Sequence, residues 1–274
     1  MLAYQSLIQG AVGSRYGFGE MLLSTTPLLF SGLAVAFSFH CGLFNIGVEG
    51  QLTMGGMAAA IVGFAIQGLP PILHIALALT AGAIMGGIWG GIPGYLKARL
   101  GVHEVINTIM LNFIAFSVTG YLVGPYGPLT ASDQLPASPM IVESARLPRF
   151  FEGTRLTSGI FIALGAAFVV WLILWHTRLG YRIRAVGMNS SAAEYAGINI
   201  AYHLTASMAI SGALGGLAGA VEVLGIHYRF FEAFSPGYGF DAIAIALVGQ
   251  LHPLGVTAAA LFFGFLRAGA ILMQ

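Results

Sequence analysis

Charged residues are scarce in this sequence. Asp, Glu, Lys and Arg make up only 8% of its 274 residues, and 57% are hydrophobic, whereas about 25% of a typical soluble domain is charged. The 11 basic and 10 acidic side chains are too few to cover the surface of a soluble domain of this length. The net charge of +1 argues against nucleic acid as a partner. We therefore expect a polytopic membrane protein.

Lysine and cysteine occur once each, as Lys97 and Cys41. The sequence contains no Gly-x-x-x-x-Gly-Lys-[Ser/Thr], so a phosphate-cradling loop of that type is excluded and ATP hydrolysis would have to come from another chain. A single cysteine excludes a disulfide within the chain. Asn107 stands where the second histidine of a zinc-protease helix would lie, and Ser211 lacks the neighbours of an activated serine. We expect neither catalytic residues nor a cofactor.

Apolar runs fill most of the chain. A helix that spans a bilayer needs about 20 apolar residues, and we place seven such spans at 22–43, 52–69, 72–96, 105–123, 157–176, 202–226 and 256–273. An eighth run, 240–251, is too short to span and is interpreted as a half-helix or re-entrant segment. Residues 1–20 are interpreted as a polar lead-in to a single domain formed by 21–274. The predicted fold is an all-α transmembrane bundle with broken helices.

Basic residues in the connections predict the orientation of the bundle. Two connections, 97–101 and 177–200, are expected on the cytoplasmic side because they carry Lys97, Arg99, Arg178, Arg182 and Arg184. The proline-rich connection 124–156 has as many acidic as basic residues, with Asp133 and Glu152 among the acids. We expect it outside, together with Pro70, Pro71 and residues 227–239.

Residues 42–51 interrupt two apolar runs with Asn45, Glu49, Gln51 and three glycines. Irregular polar backbone within a bilayer must face protein or a wet cavity, and broken helices of this kind supply ligand-binding groups in many transporters. The alternative is an ordinary turn at the membrane surface with a solvated Glu49. Composition alone does not separate the two interpretations.

A second stretch, 237–250, resembles the first break. In each, a glycine is followed by Phe-Asn or Phe-Asp and then by an apolar helix, and the preceding spans are predicted to run in opposite directions. This pattern is typical of an inverted repeat with paired broken helices. Asn45 and Asp241 stand at the openings of helices whose free N–H groups could face a polar ligand, so we expect both in the permeation path.

Other polar residues lie within the predicted spans. Asn107 and Asn112 are interpreted either as residues that hydrogen-bond neighbouring helices or as residues that contact the substrate. For Glu222 an interfacial position is favoured over a buried pair, and Arg267 is expected to be paired or near an interface. The small residues of 211–219 should let helices approach closely.

The connection 177–200 also has the form of a docking element. Ser191 and Glu194 are spaced as a capping box and Gly197 is placed to end a turn, which predicts a short helix over 192–196. Such a helix would fit a groove on a soluble partner. The alternative is an interfacial helix without a partner.

Three motifs together carry a family resemblance. They are GLFNIGVEGQLTMGG, TRLGYRIRAVGMNSSAAEYAGIN and GYGFDAIAIALVGQLHPLGVTAAALFFGFLRAGAILMQ. In this order they resemble the permease subunits of bacterial ABC importers, the family of branched-chain amino acid, ribose and nucleoside permeases. Residues 44–51 are most similar to its purine nucleoside, or simple-sugar, branch. The resemblance covers nearly the whole chain from about Ala11.

This resemblance implies a type II importer in the bacterial inner membrane, embedded in lipid. Its other parts would be a related second permease, cytoplasmic ATPases and an extracytoplasmic substrate-binding lipoprotein. By the same likeness, the substrate pathway is lined or shaped by Asn45, Glu49, Gln51 and Asp241, with Asn107 and Asn112 as further candidates. Coupling to the ATPase is assigned to Arg182, Arg184, Gly187, Ala192, Ala193 and Gly197, although Ser191 stands where the coupling motif usually has Glu.

Relatives commonly have an additional first span and continue past Met273, so we expect the chain to be truncated at one or both ends. Two other functions stay open on the residues alone. An ion-coupled secondary transporter would also use broken helices, and a membrane enzyme or assembly factor is a weaker alternative. The cargo is not fixed by the sequence, since selection can reside in the binding protein.

Overall fold

The computed structural model describes residues 2–131, 135–151 and 153–270, with side chains described from Gln5 onward. Asp133, Glu152 and the end of the last expected span at Met273 lie outside the described residues. Eleven α-helices occur in these ranges: α1 (Leu2–Val12), α2 (Arg15–Phe39), α3 (Val48–Ala65), α4 (Pro71–Leu100), α5 (Glu104–Val123), α6 (Gly159–His176), α7 (Arg178–Met188), α8 (Ser190–Tyr195), α9 (Ile200–Glu222), α10 (Tyr238–Val248) and α11 (Pro253–Ala270). A π-helical segment, Val223–His227, prolongs α9, and a 3₁₀ turn covers Glu143–Ala145.

Six of the described helices are long and apolar enough to cross a membrane: α2, α4, α5, α6, α11 and α9 with its π-helical extension. They correspond to six of the seven expected spans. The seventh, placed at 52–69, is α3, which begins earlier and contains Glu49, Gln51 and Thr53 in its first two turns. These polar residues lower its hydropathy, and most of α3 is buried by other helices. The short α10 matches the expected half-helix.

Both ends of the bundle can be recognised from their side chains. Lys97 and Arg99 belong to the last turn of α4, so the expected loop at 97–101 is helical until Gly101 (φ +67°) ends it. Lys97 lines the same cavity as residues 186–190 of α7 and α8. We call this the basic end. We call the opposite end of the bundle the loop end. It carries residues 135–157, where Arg155 pairs with Glu20 of α2 at 2.6 Å.

The first long helix begins within the expected lead-in. The Ser14 side chain accepts a hydrogen bond from the Gly17 N–H at 3.0 Å and caps α2, which therefore begins at Arg15 rather than near residue 22. In front of it, α1 packs on α11, where Gly269 lies against the Leu7 backbone. The division into 1–20 and 21–274 stays a prediction.

Glycines bring α4 and α9 into direct backbone contact. A Cβ on Gly86 would lie 2.6 Å from the Gly216 Cα, and one on Gly212 would lie 2.9 Å from the Gly90 Cα. These approaches confirm the expectation that the small residues of 211–219 permit close packing. Helix α9 also packs on α3, where Gly219 lies against the backbone of Leu52. These contacts of α9 with α4 and α3 hold the polar start of α3 in the middle of the bundle.

Candidate substrate pathway and coupling surface

The first break lies inside the protein. After α2 the chain turns at Gly42 (φ +74°), and α3 begins at Val48. The turn lies at the basic end, where Gly42 packs on Gly187 of α7. Asn45 is fully buried and Glu49 is 3% exposed. The alternative of a surface turn with a solvated Glu49 is therefore wrong in this structure.

The side-chain amide of Asn45 is hydrogen-bonded through both its nitrogen and its oxygen. Its Nδ2 donates to Gln51 Oε1 at 3.0 Å and to Ser211 Oγ at 2.8 Å. Its Oδ1 accepts from the Gly47 N–H at 2.9 Å and from Gln51 Nε2 at 3.1 Å. Because these bonds use the whole hydrogen-bonding capacity of Asn45, the residue holds the shape of the break. A direct contact of Asn45 or Gln51 with substrate stays a prediction.

Asn112 joins α5 to the start of α3. Its Oδ1 accepts from the Gly50 N–H at 2.8 Å, and its Nδ2 donates to the Ile46 carbonyl at 3.0 Å. This is the helix-joining arrangement that was one of its two interpretations. Asn107 does not share it, since its Nδ2 is buried without a hydrogen-bond partner among the described residues. A substrate contact of either residue stays untested.

The second break meets the first at Glu49. The backbone N–H of Gly239, in the first turn of α10, donates to Glu49 Oε2 at 2.6 Å, and the Ser235 hydroxyl also hydrogen-bonds this carboxylate. A carboxylate at a helix N-terminus is stabilised by the free N–H groups and the helix dipole. The other end of α10 turns at the basic end, and an 11-residue helix is about 16 Å long. The Glu49 contact therefore lies well inside the bundle.

Asp241, in the first turn of α10, is paired with a basic residue of α11, and its expected place in the substrate pathway stays a prediction. Its Oδ2 accepts from Arg267 Nη2 at 2.6 Å, and the Arg267 guanidinium lies 4.6 Å from the centre of the Tyr238 ring. Arg267 is therefore paired, which was one of the two expectations for it. The cap at the N-terminus of α10 is Glu49, which comes from the other break.

A cavity of about 390 Å³ lies beside Glu49. Its lining residues come from α3, α5, α10 and the segment before α10: Glu49, Thr53, Phe116, Thr119, Glu232, Ala233, Phe234, Ser235, Gly237 and Phe240. Glu49 is the one predicted pathway residue among them. Sequence reasoning missed Thr53 although it follows Glu49 by one helical turn, a spacing that places both on one face. It also missed Glu232, which precedes the second break in the chain.

Glu222 is not at an interface, contrary to the sequence-based preference. Its side chain is 3% exposed, and its Oε2 lies 3.2 Å from Nε2 of His227. The reason is that α9 continues beyond Glu222 as the π-helical segment, and the chain then folds back, which brings Tyr238 close to the carboxylate. The buried-pair alternative is the correct one.

The connection 177–200 contains two helices, α7 and α8, where only one was expected. The Asn189 side chain accepts from the Ala192 N–H at 3.0 Å and caps α8, so the expected capping box at Ser191 is wrong. Asn189 is the N-cap residue of α8, and its side chain satisfies the N–H three residues ahead, as the serine of a capping box would. Gly197 (φ +75°) ends the turn after α8, as expected.

The expected coupling residues divide into exposed and packed positions. Arg182, Ala192 and Gly197 are exposed, whereas Ala193 is 4% exposed. The Cβ of any residue in place of Gly187 would lie 2.9 Å from the Cys41 carbonyl carbon. Gly187 therefore packs α7 directly on the turn that leads into the first break.

Two further residues of this connection were not singled out from the sequence. Tyr195 of α8 is 96% exposed and Met188 at the end of α7 is 84% exposed. Large apolar side chains that protrude from a short helix are typical anchors for a partner groove. An aromatic residue inside the predicted helix was the signal that could have identified Tyr195.

Comparison with known proteins identifies the family. The family described as branched-chain amino acid transport system / permease component matches residues 17–274. The chain belongs to this family.

The guanosine ABC transporter permease protein NupP of Bacillus subtilis is 45% identical over 98% of this chain and 78% of its own length. The nucleoside ABC transporter permease protein NupB of Lactococcus lactis is 34% identical over 97% and 76% of the two lengths. The glucose ABC transporter permease protein TsgB13 of Haloferax volcanii is 34% identical over 97% and 72%. No solved structure matches the chain.

These findings establish the class of the protein. It is a multi-pass permease subunit of an ABC importer in the plasma membrane, and it is a transport component rather than an enzyme. ABC transporter subunits are therefore its partners. The ion-coupled transporter and the membrane enzyme, which the residues alone left open, are set aside.

Proposed function

We propose that this permease forms one half of the membrane pathway of a nucleoside importer. The observation that carries the proposal is the cavity beside Glu49, which combines aromatic rings with carboxylates. Phe116, Phe234 and Phe240 offer ring faces for a nucleobase, and Glu49 and Glu232 offer acceptors for sugar hydroxyls. A volume of about 390 Å³ is within the usual range for small-ligand sites. Two of the relatives above are permeases for guanosine or nucleosides.

The other half of the pathway would come from a second permease. The cavity opens between α5 and the segment before α10, and α5 exposes several large apolar side chains: Ile106, Met110, Phe113, Ile114 and Tyr121. Because the cavity lies along this exposed apolar face, we assign the face to the second permease.

The basic end would face the cytoplasm and dock an ATPase. Lys97, Arg99 and the arginines of α7 lie there, as the positive-inside rule requires for the cytoplasmic side. The exposed Tyr195 of α8 would insert into a groove on the ATPase. Substrate would be delivered at the loop end by an extracytoplasmic binding lipoprotein.

The proposal is tested by transport with the complete assembly. The permease, its partner permease, the ATPase and the binding lipoprotein are co-expressed, and uptake of labelled guanosine, adenosine and glucose is compared. We expect saturable nucleoside uptake that needs ATP. Uptake of glucose alone, or nucleoside uptake that needs an ion gradient and no ATPase, would contradict the proposal.

Substitutions in the cavity test its role. Glu232→Gln should raise the KM for nucleosides by about 10-fold, since a hydrogen bond to a charged group contributes about 1.5–3 kcal/mol. Phe116→Ala should have a similar effect through lost ring contact. The control is Phe262→Ala on α11, a residue that is 54% exposed and lies outside the cavity lining. Equal KM values for all three variants would remove the cavity from the pathway.

A further inference from the structure

Four side chains from four elements form a cluster at the basic end. His40 follows α2, Trp175 lies near the end of α6, Arg184 belongs to α7, and His252 lies in the turn between α10 and α11. We call these four residues the Trp175 cluster. It connects the proposed docking segment to the base of the re-entrant helix.

The indole of Trp175 is the centre of this cluster. The His40 ring meets it edge-on with 5.2 Å between ring centres, and the His252 ring lies 4.8 Å away. From the side of α7, the Arg184 guanidinium lies 5.6 Å from the indole centre. This separation is within the range of a cation–π contact. Trp175 therefore touches both α7 and the turn that ends α10.

The turn after α10 has an unfavourable backbone that its surroundings must hold. Gln250 (φ +52°) and Leu251 (φ +59°) are consecutive non-glycine residues in the left-handed region. The Leu251 carbonyl lies 3.0 Å from Nε2 of His40. Burial lowers the pKa of His40, so the neutral ring donates Nε2–H to this carbonyl. His40 therefore holds the turn by a hydrogen bond, and His252, the residue after Leu251, joins it to Trp175.

We propose that Trp175 is a positioning residue that transmits movement of α7 and α8 to α10. This inference rests on the proposed function, in which an ATPase docks on α8. A shift of α7 moves Arg184 and Trp175, and Trp175 moves the turn at Leu251. Because α10 is a single short helix, displacement of its base changes the position of Gly239 relative to Glu49. The Trp175 cluster thus links the nucleotide cycle to the second break.

A second link serves the first break by a different contact. Gly187 of α7 packs on the backbone of Gly42, which leads into residues 43–47. Movement of α7 thus reaches both breaks, one through backbone packing at Gly187 and the other through the Trp175 indole. Loss of the indole should therefore uncouple the second break from the movement of α7. The first break should still respond, and the ATPase should stay bound.

The test compares two tryptophans of α6. In the assembled transporter, Trp175→Ala should keep ATPase co-purification and basal ATP hydrolysis, while the amount of substrate taken up per ATP falls at least 10-fold. Trp175→Phe should recover a large part of this ratio, because a ring is restored. The control is Trp171→Ala, since Trp171 lies one turn earlier and its ring contacts Phe168 and His176 of the same helix.

Other outcomes would overturn the inference. An unchanged uptake per ATP in Trp175→Ala, or an equal loss in Trp171→Ala, would show that the indole does not transmit movement. If Trp175→Ala fails to assemble, His252→Ala tests the same link through the other ring of the contact. The control is then His176→Ala, at an exposed position of α6. Failure of the proposed function is distinguishable, because the unaltered assembly would then show no ATP-dependent nucleoside uptake before any variant is compared.

Discussion

The Glu49 carboxylate and the Gly239 backbone N–H form a hydrogen bond of 2.6 Å although they are 190 positions apart in the chain. Each belongs to one of the two breaks, so the halves of the predicted inverted repeat meet at this bond. The carboxylate satisfies a free N–H of α10, and α10 in turn gives the buried carboxylate a partner. This contact makes the two breaks a single structural unit beside the cavity.

Gly239→Ala should disrupt this unit. A Cβ at Gly239 would lie 2.6 Å from the Glu49 Cα, a distance at which backbone must move. We expect a loss of stability of about 1–3 kcal/mol or more and loss of uptake, measured by thermal unfolding of the purified complex and by transport. Gly165→Ala in α6 is the control, since nothing lies within 4 Å of its Cβ position and Ala favours the helix. Equal stability of the two variants would contradict the contact.

Asn45→Ala should destabilise the permease rather than change its substrate affinity. It leaves the polar atoms of Gln51 and Ser211 buried without their amide partner, at a cost of about 1–3 kcal/mol for each unsatisfied group. Thermal unfolding and the uptake KM are measured together. Asn107→Ala should be close to neutral, because the Asn107 Nδ2 has no partner among the described residues. A changed KM at unchanged stability would instead place Asn45 on the substrate path.

Cys41 should resist thiol reagents in the folded permease. The residue is 2% exposed, and burial raises the pKa of its thiol to about 12, so almost no thiolate exists at pH 8. Incubation with a membrane-permeant maleimide at pH 8, followed by mass spectrometry, should show negligible labelling. The unfolded protein should be labelled fully under the same conditions. Rapid labelling of the folded, nucleotide-free complex would show that the turn at Gly42 is open.

Tyr195→Ala should weaken binding of the ATPase. The side chain is 96% exposed on α8, and burial of a tyrosine anchor at an interface contributes about 2 kcal/mol or more, which is roughly a 30-fold change in affinity. Co-purification of the ATPase with the tagged permease measures the effect. Tyr126→Ala is the control, because Tyr126 is 99% exposed at the loop end. An equal loss for both variants would locate the docking surface elsewhere.

The hydrophobic pattern predicted the helices well because a bilayer demands long apolar segments. The expected spans near α4, α5, α6 and α9 agree with the structure to within a few residues at most ends. The pattern was less accurate where polar contacts decide the boundary, as at Ser14, whose side chain begins α2 early, and at Asn189, which caps α8 in place of Ser191. Helix ends depend on single hydrogen bonds that hydropathy does not register.

The polar residues of the breaks were identified from the sequence, but their pairings were not. Asn45 binds Gln51 and Ser211, and Asp241 binds Arg267. The separations in sequence reach 166 positions for Asn45 and Ser211, so no local spacing could reveal them. The expected place of Asn45 and Asp241 in the permeation path stays a prediction. Glu222 was misplaced for a different reason. His227 is only five residues away, but the apolar pattern does not predict the π-helical segment that ends at His227 and brings the two side chains together.

Composition and the long apolar runs determined that this chain is a membrane-embedded helical bundle, because so few charges exclude a soluble surface and a helix satisfies the polar backbone N–H and C=O groups of such runs in lipid. The sequence also marked the two glycine-containing breaks, since polar groups there interrupt runs that lipid would otherwise accept. Only the tertiary structure decided which carboxylate caps which helix, where the cavity lies and how α7 reaches α10. Those arrangements depend on packing between distant segments, and packing is a property of the folded chain rather than of any local pattern.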